Sequence, residues 1–272
     1  MADHHHHHHH HDHGHSHGTE DAAAFTEVNR QHWNKMATSY TAEEWQRDLI
    51  NKITSFIQSN ISFIGVSFLD PSAAFEKKSE PQKSVRVLDY ACGPGTITAI
   101  LAGRATEFVG VDLSENMVQA YNSRFTSEKG GETADDEKIN AHAVVGNLIS
   151  TGAEADALDG PNFRDFDLAV VGMGFHHFTD IRLATRRLVE RLKPGGVFMI
   201  VDFVTHAMEA EVHPDLKDAV NTISHHGFGE EELRKVFAEA GLTDFALVRM
   251  GEEVTLRGTS KREPFMARGT KI

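Results

Sequence analysis

The sequence predicts a doubly wound α/β sheet, and three observations lead to this prediction. From residue 85 onward, short apolar stretches alternate with amphipathic helical patterns. The first of these stretches runs into a turn of small residues, "ACGPGT", placed where such a sheet binds its ligands. The last two strand-like stretches, "FALVRM" and "EPFMARG", have no convincing helix between them. This ending indicates a closing antiparallel strand.

Length and composition fit one main domain with additional elements. The chain has 272 residues, of which 40% are hydrophobic. We expect a disordered His-rich tract or tag over 1–20, N-terminal helices that cover the site over 21–69, a linker over 70–84 and the core over 85–272. Strands are expected at 85–90, 108–113, 141–148, 166–175 and 195–204.

The charge balance and cysteine usage exclude several classes of partner. A formal net charge of −13 makes a nucleic acid an unsuitable partner, and no apolar run is long enough to cross a membrane. The single cysteine, Cys92, fits a reducing compartment. We therefore expect a cytoplasmic protein without nucleic-acid or membrane partners.

Residues 4–17 contain eleven histidines in fourteen positions. The tract is either a purification tag or a segment that binds transition metals, since flexibly spaced imidazoles suit such ions. Elsewhere the pairs His176/His177 and His225/His226 have no neighbouring carboxylate in the sequence that would complete a ligand set. No metal site is expected in the core.

Two amphipathic helices are expected before the core. The apolar stripe of the first comprises Phe25, Val28, His32, Met36 and Tyr40, with Trp33 beside it. The stripe of the second comprises Trp45, Leu49, Ile53, Ile57 and Ile61. Within the core, Ser114 and Asp180 are expected to cap the starts of helices, and Gly241 to end the last one.

Two acidic residues lie at the predicted carboxyl ends of neighbouring strands. Asp89 precedes the turn that contains Ala91, Gly93 and Gly95, whose small side chains let a ligand approach the backbone. Asp112 ends the second strand, where a carboxylate can bind both hydroxyls of a ribose. To this point a dinucleotide enzyme and a nucleoside-binding enzyme fit equally. The negative charge of Asp89 disfavours a pyrophosphate and suits a ligand with a cationic amino-acid end.

Five segments in order resemble the motifs of class I S-adenosylmethionine-dependent methyltransferases, small-molecule branch, which includes quinone-ring methyltransferases. They are "VLDYACGPGT", "VGVDLSENMV", "VVGNL", "LKPGGVFMIVDF" and "GFGEEELRKVFAEAGL". The resemblance implies a Rossmann-like seven-stranded sheet with an antiparallel last strand, a helical lid and S-adenosyl-L-methionine as cofactor. It also implies the cofactor-binding residues, which are Tyr40, Asp89, Ala91, Gly93, Gly95, Asp112, Leu113, Met117, Asn147, Leu148 and Gly172.

Two residues depart from the family pattern. Ala91 replaces the usual first glycine of the turn and adds a methyl group beside the ligand. Asn147 replaces the usual aspartate of the adenine motif, and its carbonyl oxygen is expected to accept from the adenine amino group. Both changes are expected to be tolerated, with weaker cofactor binding.

The resemblance implies in-line methyl transfer to an acceptor, which we expect to be a small molecule. Oxygen, nitrogen, sulphur and carbon acceptors stay open, and a hydroxyl acceptor needs a base, for which His176 or His226 would serve. Strand-like alternation is expected to send His176 and His177 to opposite sides. The alternatives are a catalytically silent nucleoside-binding regulator and a nicotinamide-dependent oxidoreductase. The latter would need a fuller glycine turn, since Thr98 occupies its last position.

Overall fold

The computed structural model describes residues 19–72, 83–126, 139–150, 153–207 and 217–272. Its main sheet has seven strands in the order β3-β2-β1-β4-β5-β9-β6, with parallel pairing from β3 to β5. β9 is antiparallel to both of its neighbours. The strands are β1 Arg86–Tyr90, β2 Glu107–Asp112, β3 Ala141–Val145, β4 Phe166–Gly172, β5 Leu192–Phe203, β6 Leu242–Arg249, β7 Val254–Leu256, β8 Ser260–Arg262 and β9 Pro264–Lys271. The doubly wound sheet with an antiparallel last strand is confirmed.

Helices precede the sheet and connect its strands. They are α1 Thr19–Met36, α2 Glu44–Ser59, α3 Ile61–Ile64, α4 Thr96–Ile100, α5 Glu115–Thr126, α6 Ala153–Asp156, α7 Ile181–Val189, α8 Lys217–Val220 and α9 Glu230–Glu239. The predicted caps are confirmed. Ser114 Oγ accepts from the Met117 N–H at 3.1 Å, and Asp180 Oδ1 accepts from the Leu183 N–H at 2.8 Å. Gly241 follows α9 with φ +81°.

The core consists of two apolar layers, one on each face of the sheet. Alternation along β1 places Leu88 in one layer and Val87 in the other. The first layer includes residues of α7 and α9, and the second includes residues of α2 and α4. Helices on both faces leave the carboxyl ends of the parallel strands as the edge at which a ligand can reach the backbone.

Several features differ from the sequence-based expectations. Strands β3 and β4 end three residues earlier than expected, and β5 begins three residues earlier. Val28 is 43% exposed, so the expected apolar stripe of α1 does not pack as one face. A small antiparallel hairpin, β7–β8, stands between β6 and β9, and the sequence patterns did not predict it. The His-rich residues 4–17 and the linker residues 73–82 lie outside the described residues.

Candidate active site

A cleft with an empty volume of about 850 Å³ opens at the carboxyl ends of β1, β2 and β4. Eight of the expected cofactor residues line it, namely Tyr40, Ala91, Gly93, Asp112, Leu113, Met117, Asn147 and Gly172. Asp89, Gly95, Leu148, His176 and His226 do not line this cleft.

Asp112 is held in place by backbone groups at the end of β2. Its Oδ2 accepts from the Gly93 N–H and its Oδ1 from the Ser114 N–H, both at 2.8 Å. Burial raises the pKa of the Asp112 carboxyl, although these hydrogen bonds oppose the shift. Each carboxylate oxygen has a further lone pair, so both can still accept from a vicinal diol.

Asp89 is almost completely buried below the turn. Its Oδ2 accepts from the Thr98 hydroxyl at 2.8 Å and from the Thr98 N–H at 3.2 Å. Its Oδ1 has no hydrogen-bond partner among the described residues. Burial raises the pKa of Asp89 to about 7, and the nearby Asp112 adds to the shift. A buried acid with one free oxygen is suited to pairing with a cation.

The turn after β1 presents bare backbone to the cleft. Gly93 has φ +51°, and a Cβ built on it would meet no atom within 4 Å, so that space is open to a ligand. Ala91 also adopts the left-handed region, with φ +56°, which costs a non-glycine residue about 1–2 kcal/mol. Its methyl group lies close to Gly174, where an added Cβ would approach it to 3.0 Å. The strained alanine is therefore accommodated by a glycine opposite.

Residues from β1 and the loop after β3 form a second polar cluster beside the cleft. The Leu148 N–H donates to the Tyr90 hydroxyl at 3.0 Å. Asn147 Oδ1 accepts from the Ile149 N–H at 3.0 Å and from the Tyr90 hydroxyl at 3.4 Å. The Asn147 carbonyl that was expected to meet adenine is thus paired within the chain, and so is the Leu148 N–H.

Helix α1 closes one side of the cleft with Phe25, Thr26, Asn29 and Trp33. Two other α1 residues fasten the helix to the end of β2 and the start of α5. Arg30 donates to the Leu113 carbonyl at 3.2 Å and pairs with Glu115 and Glu154. Asn34 accepts from the Ser114 hydroxyl at 2.6 Å. The lid is thereby bonded to the residues that follow Asp112.

Tyr40 follows α1 and lines the cleft. Burial raises the pKa of Tyr40 to about 12, and the carboxylates of Asp112 and Asp89 add to the shift. Its hydroxyl therefore keeps its proton at neutral pH and can act as a hydrogen-bond donor.

The histidine pair after β4 does not alternate as expected. Residues Phe175–His177 form a 3₁₀ turn, and the rings of His176 and His177 have centroids 4.1 Å apart. His176 Nδ1 lies 2.8 Å from Oδ1 of the fully buried Asp202. His177, which sequence reasoning did not select, lines the cleft. Its Nδ1 is 2.6 Å from the Thr222 carbonyl oxygen, and burial holds the pKa of His177 well below its usual range.

His226 lies in the loop before α9, and its carbonyl oxygen accepts from the His206 N–H at 3.0 Å. Its ring contacts the His206 ring edge-on, with centroids 5.8 Å apart. Within the described ranges, no group of three or more metal-ligating side chains converges, and no helix is long and apolar enough to span a membrane.

Comparison with known proteins gives consistent matches. A family model described as "Methyltransferase domain" matches residues 43–247. An uncharacterised methyltransferase of Schizosaccharomyces pombe is 30% identical over 176 residues, covering 64% of this chain and 57% of that protein. The ubiquinone/menaquinone biosynthesis C-methyltransferase UbiE of a Shewanella strain is 31% identical over 128 residues, covering 46% of this chain and 45% of the relative. The chain thus spans about half the length of the curated relatives it matches.

A solved structure supports the same fold. Phosphoethanolamine N-methyltransferase 2 of Haemonchus contortus, in complex with S-adenosyl-L-methionine, aligns with a TM-score of 0.50 at 17% identity, covering 74% of this chain and 52% of that one. None of these matches supports an oxidoreductase or a silent regulator. The family model covers most of the chain, and the sheet order agrees with the expected fold. The chain therefore belongs to the methyltransferase domain family, among the class I S-adenosylmethionine-dependent methyltransferases.

Proposed function

We propose that this protein transfers a methyl group from S-adenosyl-L-methionine to a small-molecule acceptor. The observation that carries the proposal is the cleft itself. It combines the bare backbone of Gly93 with Asp112 on its wall, and the buried Asp89 lies just below the turn. These groups match a ligand that has a ribose and a cationic amino-acid end.

The donor set fits that cofactor residue by residue. Asp112 would accept from the ribose hydroxyls, and the free Oδ1 of Asp89 would compensate the ammonium. Met117 would pack against adenine, and Tyr40 lies near both carboxylates. The bound cofactor supplies a methyl group on a sulfonium, which already has a good leaving group. The protein has to orient the acceptor and exclude water, for which α1 forms the cover.

A hydroxyl acceptor would also need a base. His176 does not line the cleft itself, but its ring lies against that of the cleft-lining His177, with centroids 4.1 Å apart, and we propose it for that role. Because the carboxylate of Asp202 only accepts, the neutral His176 ring donates from Nδ1 and has its lone pair on Nε2. The buried negative charge would stabilise the imidazolium formed when Nε2 takes a proton. His226 has no such partner among the described residues, so we favour His176.

The proposal is tested by thermal unfolding with S-adenosylmethionine, S-adenosylhomocysteine or NAD. A ligand at about 100 times its dissociation constant adds about 2.7 kcal/mol to the free energy of unfolding, which raises Tm by several degrees. We expect a shift with the two sulphur nucleosides only, lost in Asp112→Ala and kept in Asp48→Ala, which removes an exposed carboxylate on α2. A shift with NAD, or with none of the three, would refute the proposal.

The acceptor is then sought by transfer of a labelled methyl group to pooled small molecules. We propose a small and uncharged or cationic acceptor, because the chain has a net charge of −13. The absence of nucleic-acid partners and the cytoplasmic location stay predictions. Metal binding by residues 4–17 is also a prediction, and this tract lies outside the described residues.

A further inference from the structure

Asn147 offers the cleft a hydrogen-bond donor. Its Oδ1 already accepts from the Ile149 N–H at 3.0 Å and from the Tyr90 hydroxyl at 3.4 Å. Both donors require an oxygen, since the amide NH₂ has no acceptor capacity. The orientation of the amide is therefore fixed, and its NH₂ is the polar group left for a ligand in the cleft that Asn147 lines.

Tyr90 holds this arrangement. The residue is 4% exposed, and its ring packs edge-on against Phe178 with centroids 5.6 Å apart. Burial raises the pKa of Tyr90, so its hydroxyl keeps the proton that it donates to Asn147. The same hydroxyl accepts from the Leu148 N–H at 3.0 Å. One buried tyrosine thus pairs with two consecutive residues beside the cleft.

This pairing changes which features of a purine the site can recognise. An aspartate at position 147 would present only acceptors, and these select the exocyclic amine of adenine. An NH₂ group instead pairs with an acceptor on the base. We infer that Asn147 recognises the cofactor's purine through an acceptor atom of the base, with Tyr90 as the positioning residue, so that the exocyclic amine is not required. The inference rests on the proposed function, because it presumes a bound nucleoside.

Hypoxanthine tests this inference directly, because it replaces the adenine amine by a carbonyl oxygen and carries a proton on N1. The NH₂ of Asn147 can donate to that oxygen as readily as to a ring nitrogen. We therefore expect S-inosylhomocysteine to bind within about ten-fold of S-adenosylhomocysteine. A site that selects the amine would leave polar groups unpaired with the hypoxanthine ligand and discriminate much more strongly.

Two variants should restore the selection of adenine. Asn147→Asp has nearly the same shape and presents only acceptors, so the preference for S-adenosylhomocysteine should rise at least about ten-fold. Tyr90→Phe frees the Leu148 N–H, which can pair with N1 of adenine but opposes the N1–H of hypoxanthine. Its preference for adenine should rise as well. Tyr121→Phe is the matched control, because that hydroxyl lies 2.9 Å from Thr98 Oγ1, away from Asn147, and the ratio should not change.

The experiment is isothermal titration calorimetry of both nucleosides with the full chain and the three variants. Each protein gives a ratio of two dissociation constants, so a modest loss of stability in a variant does not affect the comparison. Tight binding of S-adenosylhomocysteine with at least 100-fold rejection of S-inosylhomocysteine by the wild-type protein would overturn this inference alone. An unchanged ratio in Asn147→Asp would also overturn it. Failure of the wild-type protein to bind either nucleoside would overturn the proposed function together with it.

Discussion

Replacing Asp89 by asparagine should remove a pH dependence from the stability of the protein. The substitution keeps the side chain's shape, and an amide oxygen can still accept from the Thr98 hydroxyl and N–H. The amide NH₂ would take the place of Oδ1, which has no partner among the described residues. The change therefore removes a titrating group with little effect on packing.

The sign of the effect follows from the direction of the pKa shift. Burial raises the pKa of Asp89 to about 7 in the folded protein, against an unfolded value of about 3.9. Between these values the folded state holds a proton that the unfolded state has lost. The free energy of unfolding therefore falls as pH rises through this window. Each pH unit inside the window costs about 1.36 kcal/mol, so the step from pH 5 to pH 7.5 costs about 2.5 kcal/mol.

The assay is urea unfolding at pH 5 and pH 7.5, without ligand, for the wild-type protein and Asp89→Asn. Other titrating groups are common to both proteins, so the difference between their pH responses isolates Asp89. We expect the wild-type protein to lose about 2.5 kcal/mol more than the variant over this step. Asp48→Asn, which removes an exposed carboxylate, should respond as the wild type does. Equal pH responses of wild type and Asp89→Asn would refute the reasoning.

Two further predictions concern the lid and the proposed base. Arg30→Gln removes contacts of α1 with the Leu113 carbonyl and with Glu115 and Glu154, so S-adenosylhomocysteine should bind about five- to ten-fold more weakly by calorimetry. Lys35→Gln removes an exposed cation of α1 that does not line the cleft, and it should leave the affinity for S-adenosylhomocysteine unchanged. Equal affinities of the Arg30 and Lys35 variants would show that the Arg30 contacts do not contribute to binding. Asp202→Asn should lower kcat for a hydroxyl acceptor at least about ten-fold with little change in S-adenosylhomocysteine affinity, because the charge that stabilises imidazolium is lost. An unchanged kcat would exclude His176 as the base.

Features of this fold that depend on local sequence could be predicted. The parallel strands are short apolar runs, and β1 and β2 begin and end within one residue of their expected bounds. Ser114 and Asp180 cap helices because their side-chain oxygens accept from a backbone N–H three residues later, and Gly241 ends α9 because glycine readily adopts a positive φ. Such interactions join residues only a few positions apart, so they can be recognised in the amino-acid sequence.

The lid helix shows where periodicity is insufficient. Its apolar residues recur at helical spacing, yet Val28 is 43% exposed, while the cleft-facing residues include Asn29 and Thr26. A helix that packs on a core needs an apolar face, whereas one that covers a ligand site needs only side chains that suit the ligand. The hydrophobic pattern therefore predicts that α1 forms, but it does not predict which face of the helix lines the cleft.

The pairing of His176 with Asp202 depends on the sheet rather than on local sequence. The two residues are 26 positions apart, so the search for a carboxylate beside the histidine pair did not reach Asp202. Parallel pairing of β4 with β5 sets Gly172 opposite Val201, which brings the turn after β4 next to the following residue of β5. Residues 175–177 form a 3₁₀ turn, so the alternation of side chains along a strand does not apply to them. The turn directs the His176 ring toward the Asp202 carboxylate. The proposed base follows one strand and its carboxylate partner lies on the neighbouring strand, so their pairing depends on the register between the two strands.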